Sequence, residues 1–174
     1  MRKLTTILAL AVAFTSCKNE QKKNEEQSEE MAQTEQSQAA EETDSVALEI
    51  TPISHATGVF HWGVTVFYTD PVGGATAFEG QDAPDFILLT DIHGDHMNAE
   101  TLQGLELGDT KIIVPQAVAD KLPEDLQENL MVMNNGESQE FMGFKIEAIP
   151  MYNIPQTQDA MHTKGRGNGY VLEK

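Results

Sequence analysis

Residues 90–98 read TDIHGDHMN, and they lie where an apolar run gives way to a helical pattern. The run before them, residues 86–89 (FILL), predicts a short buried strand. After them, Asn98 is a typical N-terminal cap for a helix in which apolar residues recur at helical spacing. Open α/β sheets bind their ligands at the carboxyl ends of strands, so this pattern predicts both the fold class and the place of a site.

The same stretch carries four side chains of the kinds that bind metals, namely Asp91, His93, Asp95 and His96. In an extended chain, side chains two positions apart point the same way, so Asp91 and His93 can converge on one ion. The turn through Gly94 directs the other two toward a neighbouring position. Imidazole nitrogen and carboxylate oxygen suit a divalent ion such as zinc. The alternative is an acidic surface loop without a metal, and the density of such side chains favours the metal site.

The pattern Asp91-x-His93-x-Asp95-His96 resembles the H-x-H-x-D-H metal motif of the metallo-β-lactamase-fold hydrolases. The difference is aspartate instead of histidine at the first position. Its carboxylate can still donate oxygen to a metal, but the change favours a harder ion or weaker binding. The resemblance implies that all four residues are metal ligands. It also implies a catalytic role for Asp95, which would orient a metal-bound water or take its proton.

Flanking segments extend this resemblance to about residues 48–174. Residues 54–71 resemble the paired first strands and the Asp-Pro turn of these hydrolases. Residues 149–165 resemble the strand and loop that supply a third metal-binding histidine, which implies that His162 is a further ligand. The family fold is an αββα sandwich of two similar halves. Only the N-terminal half is identified here, because the family's later Gly-Asp-Thr/Ser segment and final histidine do not follow.

Apolar and β-branched runs separated by turn residues predict most of the strands. A helix should begin near Pro115, since proline suits the first turn, and continue through Val118 and Leu122. The order of elements fits an α/β layered sheet. The predicted strands are residues 64–68, 86–89, 111–114, 130–133, 140–141, 144–149 and 169–173.

A sandwich half without its partner exposes apolar residues on its inner face. Large contiguous apolar patches are rare on soluble monomers and mark association, so we expect a homodimer or poor solubility. The alternating residues expected on that face are Val64, Val66, Tyr68, Phe144 and Ile146.

The function implied by the resemblance is metal-dependent hydrolysis of a small molecule. One or two divalent ions, Zn²⁺ first and Mn²⁺ or Fe²⁺ as alternatives, would activate a water that attacks an ester, amide or phosphodiester-type bond. Nothing in the residues selects among these substrates. The competing class is a non-catalytic or decayed metal-binding lipoprotein, because the second half of the family's site is not identified.

The N-terminus predicts a bacterial lipoprotein. Arg2 and Lys3 precede an apolar stretch that ends at Phe14, and Thr15-Ser16-Cys17 follows. This is the pattern of a secretory signal, and the stretch is shorter than the roughly 20 residues that a membrane span needs. Cys17 resembles the lipidated cysteine of a lipobox; an ordinary cleaved signal is the alternative. We therefore expect a signal peptide at residues 1–16 and a lipid anchor on a membrane of the cell envelope.

Residues 17–46 contain few large apolar side chains and predict a disordered polar tether, and residues 47–174 predict one hydrolase domain. The chain has a formal net charge of −17, which argues against nucleic acid as a partner. Lys164 and Arg166 are a local exception beside His162. They could bind a phosphate or carboxylate group of a substrate, although the favoured alternative is an ordinary flexible surface loop.

Overall fold

The computed structural model describes residues 47–174 of the chain. The predicted signal peptide, the predicted lipidation of Cys17 and the predicted tether, which ends at residue 46, lie outside the described residues. Among residues 47–174, no helix combines the length and the apolar character that crossing a membrane requires.

The larger of two sheets has six strands arranged in chain order. The first three strands are antiparallel, and β3 to β6 are parallel. The predicted strands in this sheet are confirmed to within one residue; the two that the apolar runs did not mark are β1 and β2. The strands are β1 (Leu48–Ser54), β2 (Thr57–Trp62), β3 (Thr65–Thr69), β4 (Phe86–Leu88), β5 (Lys111–Val114) and β6 (Leu130–Val132).

Short helices lie in the connections between the parallel strands. Helix α1 (Ala99–Gly104) joins β4 to β5, and α2 (Gln116–Ala119) joins β5 to β6. Pro115 is the N-cap of α2, so the predicted helix is present but ends before Leu122. Two 3₁₀ helices, Ala75–Phe78 and Glu124–Asn129, complete the helical elements of residues 47–174.

The second sheet is antiparallel and has three strands, β7 (Ser138–Phe141), β8 (Phe144–Met151) and β9 (Gly167–Glu173). All three were predicted. The two sheets pack face to face over one apolar cluster. This cluster contains Phe67, Phe86, Leu88 and Ile113 from the first sheet and Phe144, Ile146 and Ala148 from the second.

The opposite face of the first sheet packs on the helices. Side chains alternate between the two faces of a strand, so Ile87 of β4 points to the helices while its neighbours point to the second sheet. Leu102 of α1 and Val118 of α2 are fully buried against this face. Residues 47–174 therefore form three layers: helices, a six-stranded sheet and a three-stranded sheet.

The expected exposure of an unpaired inner face is wrong for four of its five residues. Phe144 and Ile146 are buried between the sheets, and Val66 and Tyr68 are buried on the helix side. Only Val64 is exposed, in the turn between β2 and β3. The second sheet of the chain covers this face of the first sheet. An exposed inner face therefore no longer supports the expected homodimer, which stays a prediction.

A buried polar network joins the second sheet to the ends of β4 and β5. The single Tyr170 hydroxyl proton is shared between the carbonyl oxygens of Leu89 (3.0 Å) and Ile113 (3.3 Å), and the hydroxyl oxygen accepts from the Asn168 side chain (3.1 Å). Burial raises the pKa of Tyr170 well above its usual range, so this hydroxyl keeps its proton. The backbone N–H of Asn168 donates to Thr90. The network fixes β9 beside the 90–98 loop.

Tyr170→Phe should lower the free energy of unfolding by about 1–2 kcal/mol, because the Leu89 carbonyl loses the hydroxyl that donates to it and the Asn168 side chain loses an acceptor. Urea unfolding followed by circular dichroism measures the change. The matched control is Tyr152→Phe, which removes the same hydroxyl from a ring that lies under Lys164, and it should change stability by less than about 0.5 kcal/mol. Equal effects in the two variants would show that the Tyr170 network does not hold the sheets together.

Candidate metal centre

The 90–98 loop follows β4 and leads into α1, as the sequence predicts. The backbone N–H groups of His96 and Met97 both donate to the His93 carbonyl, at 2.9 and 2.8 Å, and these bonds close a tight turn through Gly94. The Asn98 side chain accepts from the Thr101 N–H at 2.7 Å and caps α1. The turn and the cap fix the direction in which the loop presents its imidazoles and carboxylates.

Three of the predicted ligands meet in one cluster. Asp91, His93 and His162 each offer a ligand atom, and these atoms all lie within 4.8 Å of one another. Asp91 Oδ1 lies 3.0 Å from His93 Nδ1, and the His93 and His162 rings have centroids 4.9 Å apart. His162 comes from the loop between β8 and β9, far along the chain. The strand order therefore assembles a site that the 90–98 stretch only begins.

The other two motif residues lie beside this cluster. The His96 ring centroid is 6.5 Å from that of His162. The Asp95 carboxylate is 56% exposed, and its Oδ2 lies 3.9 Å from His96 Nε2. His96 therefore lies near the three-residue cluster without belonging to it, and Asp95 lies beside His96.

Asp70 is a site residue that the metal motif did not include. It is buried after β3, and its carboxylate accepts from the Thr90 N–H (2.8 Å), the Thr90 hydroxyl (2.6 Å) and His96 Nδ1 (2.8 Å). The hydrogen bond to Asp70 is the main reason that the pKa of His96 is raised, against the opposing effect of burial. A carboxylate only accepts, so Nδ1 carries a proton, and Nε2 is the ring nitrogen that would be left to bind a metal. The Asp-Pro turn at 70–71 was the available sequence signal.

Asp91 is fully buried and has a cationic partner that the sequence did not reveal. Arg166 Nη2 lies 3.1 Å from both Asp91 carboxylate oxygens, and Arg166 Nε lies 3.3 Å from one of them. The Lys164 ammonium lies over the Tyr152 ring at 5.4 Å. Of the two residues predicted to bind a substrate anion, Arg166 is thus engaged inside the site, while Lys164 lies at the loop surface. Their binding of an anion stays a prediction.

Two imidazoles and one carboxylate form a donor set that suits a divalent metal. The same set holds catalytic zinc in several hydrolases and non-haem iron(II) in oxygenases, so it fits a metal without selecting one. Both motif histidines also have a carboxylate at one ring nitrogen, Asp91 beside His93 and Asp70 beside His96. Such partners fix the orientation of ligand rings. The residues present therefore fit a metal centre.

A cavity of about 650 Å³ opens beside this centre. His96, His162, Thr90 and Asp70 contribute polar groups to its lining. Its walls are mostly aromatic and aliphatic, and they include Phe60, Trp62, Phe67, Tyr170 and Leu172. An apolar cavity lined by a few polar groups has the usual character of a small-molecule site.

Comparison with known families places the fold. The family described as "Beta-lactamase superfamily domain" matches residues 49–174, which is more than half of the chain. The chain belongs to the beta-lactamase superfamily. Its predicted metallo-β-lactamase-like α/β fold is thereby confirmed. A comparison with curated proteins gave no match.

Solved structures give the same fold for this superfamily domain. A protein from Parabacteroides distasonis ATCC 8503, described as a candidate metal-dependent hydrolase, is 30% identical over 72% of this chain, with a TM-score of 0.62. A metallo hydrolase from the archaeon Ignicoccus hospitalis is 16% identical over 73% of the chain, with a TM-score of 0.55. The chain spans 56% of the length of each of these two proteins.

The fold is also similar to a protein with a different printed activity. A diiron β-hydroxylase from Streptomyces venezuelae is 19% identical over 72% of this chain and 27% of its own, with a TM-score of 0.55. At this identity the likeness concerns the fold alone. The superfamily domain of this chain thus shares its fold with proteins of more than one printed activity.

Proposed function

We propose that this chain is a metal-dependent hydrolase of a small molecule. The observation that carries the proposal is the cluster of Asp91, His93 and His162, whose ligand atoms lie within 4.8 Å at the carboxyl end of β4. The apolar cavity beside His96 and His162 would receive the body of the substrate. The bond cleaved would be an ester, amide or phosphodiester-type bond.

The three residues of the cluster would hold one ion, and His96 with Asp95 would hold a second or orient the attacking water. A bound zinc-type ion lowers the pKa of its water to about 7 and polarises the scissile carbonyl or phosphoryl group. Asp95 is the residue we assign to proton transfer, because its carboxylate is exposed at the site and 3.9 Å from His96. Lys164, at the loop surface, would contact an anionic substituent.

Zinc is the first choice of metal, with Mn²⁺ and Fe²⁺ as alternatives. A His₂-carboxylate set serves both hydrolytic zinc and non-haem iron(II). The buried carboxylate of Asp91 provides hard oxygen where the family motif has softer nitrogen, which favours the alternatives more than a third histidine would.

A non-catalytic metal-binding role is the second candidate. Residues 47–174 contain one group of three ligand-type residues, which supports this role. Two-metal hydrolysis needs a second ion as well, because one ion stabilises the attacking oxygen and the other the leaving oxygen. Asp95 and His96 alone would bind such an ion weakly.

The proposed activity is tested on the full chain, stripped of metal and reloaded separately with Zn²⁺, Mn²⁺ or Fe²⁺. Chromogenic esters, phosphodiesters and lactams are the substrates. We expect turnover of at least one class with one metal, and a loss of at least about 100-fold in kcat/KM in His93→Ala. His61→Ala, outside the site, is the control and should retain activity. If metal binds but no metal gives turnover, the non-catalytic role is the better account.

We also propose that Cys17 is lipidated and anchors the chain to a bacterial membrane. Cys17→Ser should move the protein from the membrane to the soluble fraction, because stable anchoring needs two or more acyl chains and this residue would carry them. Fractionation and palmitate labelling measure the change. A serine variant that still sediments with membranes, or wild-type protein that takes up no label, would contradict the proposal.

A further inference from the structure

We propose that Arg166 is a positioning residue, which holds two of the three candidate ligands in place through one guanidinium group. The two ligands are Asp91, which Arg166 contacts directly, and His162. Arg166 holds His162 by donating to the carbonyl of the preceding residue. The inference rests on the metal site proposed above for its functional meaning. The contacts by which Arg166 holds these two residues are present in the chain without metal.

The contact with Asp91 is a buried, multiply bonded ion pair. The Asp91 side chain has no exposed surface, and the guanidinium donates to both of its oxygens at 3.1–3.3 Å. A planar guanidinium fits a carboxylate in this way, whereas a lysine ammonium is a point charge. Removing one partner of a buried pair leaves an uncompensated charge and is costly. Arg166 therefore fixes both the position and the rotation of the Asp91 carboxylate.

The contact with the His162 loop uses the same nitrogen. Arg166 Nη2 also donates to the Met161 carbonyl, directly before His162, and the Arg166 N–H donates to the Thr163 carbonyl at 3.3 Å. These bonds close residues 161–166 into a compact loop around the guanidinium. His162 is thereby carried on a segment that is tied to Asp91, which lies 75 positions before Arg166 in the chain.

A second tie holds the other side of His162. Its backbone N–H donates to the Asn153 side chain at 2.7 Å, and its carbonyl accepts from the Asn153 N–H at 2.9 Å. Asn153 links His162 to the end of β8 but makes no link to the 90–98 loop among these bonds. The bond from the Asn168 N–H to the Thr90 carbonyl holds the start of β9 beside the 90–98 loop. Residues 154–165 are mostly exposed, so we infer that the Arg166–Asp91 pair extends this hold to His162 and keeps it beside His93.

The first test is amide hydrogen exchange on the metal-free full chain. In Arg166→Met, exchange over residues 157–163 should be at least tenfold faster than in wild type, while exchange in β4 and β5 stays unchanged. Arg166→Lys should keep only part of the wild-type protection, because lysine keeps the positive charge but lacks the planar guanidinium that bonds both carboxylate oxygens. Asp91→Asn should resemble Arg166→Met. The neutral double variant Asp91→Asn with Arg166→Gln should exchange about as fast as either single variant, since both remove the same tie.

The second test is the zinc Kd of the same proteins. Loss of orientation should weaken zinc binding at least tenfold in both Arg166→Met and Arg166→Lys. Equal affinity in Arg166→Lys and wild type, or tighter binding in Arg166→Met, would overturn the proposal, because the guanidinium would then act through its charge alone. Unchanged exchange over 157–163 in the Arg166 variants, or additive effects in the double variant, would overturn it too.

The two proposals fail in different ways. Wild-type protein that binds no zinc contradicts the metal site, while the exchange measurement still decides the role of Arg166. If Arg166→Met does not fold, the neutral double variant and Arg166→Lys supply the same comparison, since neither leaves Asp91 as an unpaired buried charge.

Discussion

Replacing His93 and His162 together by alanine should weaken zinc binding to the full chain by at least about 100-fold, or roughly 3 kcal/mol. The two imidazoles come from loops that the fold brings to a ring separation of 4.9 Å, and they are two of the three donors in the cluster. With both removed, Asp91 is the one donor of the cluster that remains, and a single carboxylate holds zinc weakly. Competition of the metal-free protein against a chromogenic chelator measures the affinity.

The matched control removes two other imidazoles. His55 lies in the exposed turn between β1 and β2 beside Ser54, and His61 lies on β2 with its ring 3.9 Å from Asp82. The double variant His55→Ala with His61→Ala should bind zinc within about threefold of wild type. Circular dichroism confirms that each variant folds. Equal losses in the two double variants would mean that zinc binds to histidines in general and that the cluster is not a site.

Gly167→Ala should damage the fold and the site together. A Cβ atom at this position would lie 2.5 Å from the end of Met151, 2.8 Å from Asp91 Oδ2 and 2.9 Å from the Thr90 carbonyl oxygen. The methionine can move, but the Thr90 oxygen is backbone and also accepts the Asn168 N–H, so β9 has to shift away from the 90–98 loop. We expect a loss of about 2–3 kcal/mol in the free energy of unfolding, and a zinc Kd at least tenfold weaker.

Gly94→Ala is the control for this prediction. Gly94 lies in the 90–98 loop itself, yet an added Cβ atom would meet no atom within 4 Å. Its substitution should change the free energy of unfolding by less than about 1 kcal/mol. Urea unfolding of both variants tests the comparison. A Gly167→Ala protein as stable as wild type, with unchanged zinc affinity, would show that β9 does not pack against the Asp91 carboxylate as described.

The beginning of the site could be predicted because its information is local. An apolar strand, four ligand-type residues and the Asn98 cap lie within one short stretch, and their geometry follows from strand and helix periodicity. His162 was predicted only through the family resemblance. No local pattern says which of the five histidines in the chain returns to the 90–98 loop.

The remaining parts of the site depend on long-range contacts. In the sequence, Arg166 is a loop cation that could bind a substrate anion. Its guanidinium contacts Asp91 because the fold places β9 beside the 90–98 loop. Asp70 follows a different strand from the motif and meets His96 because β3 and β4 are adjacent. The inner-face prediction failed for a related reason: strand alternation gives the two faces of a sheet, but it does not say which layer covers each face.

The most direct test of the metal centre is anomalous X-ray scattering from crystals of the protein grown with zinc. We predict a zinc peak at about 2.0–2.1 Å from an imidazole nitrogen of both His93 and His162, with a carboxylate oxygen of Asp91 at about 2.0–2.2 Å. A peak bound only to histidines outside the cluster, such as His55 or His61, or no zinc peak within bonding distance of His93, would contradict the account.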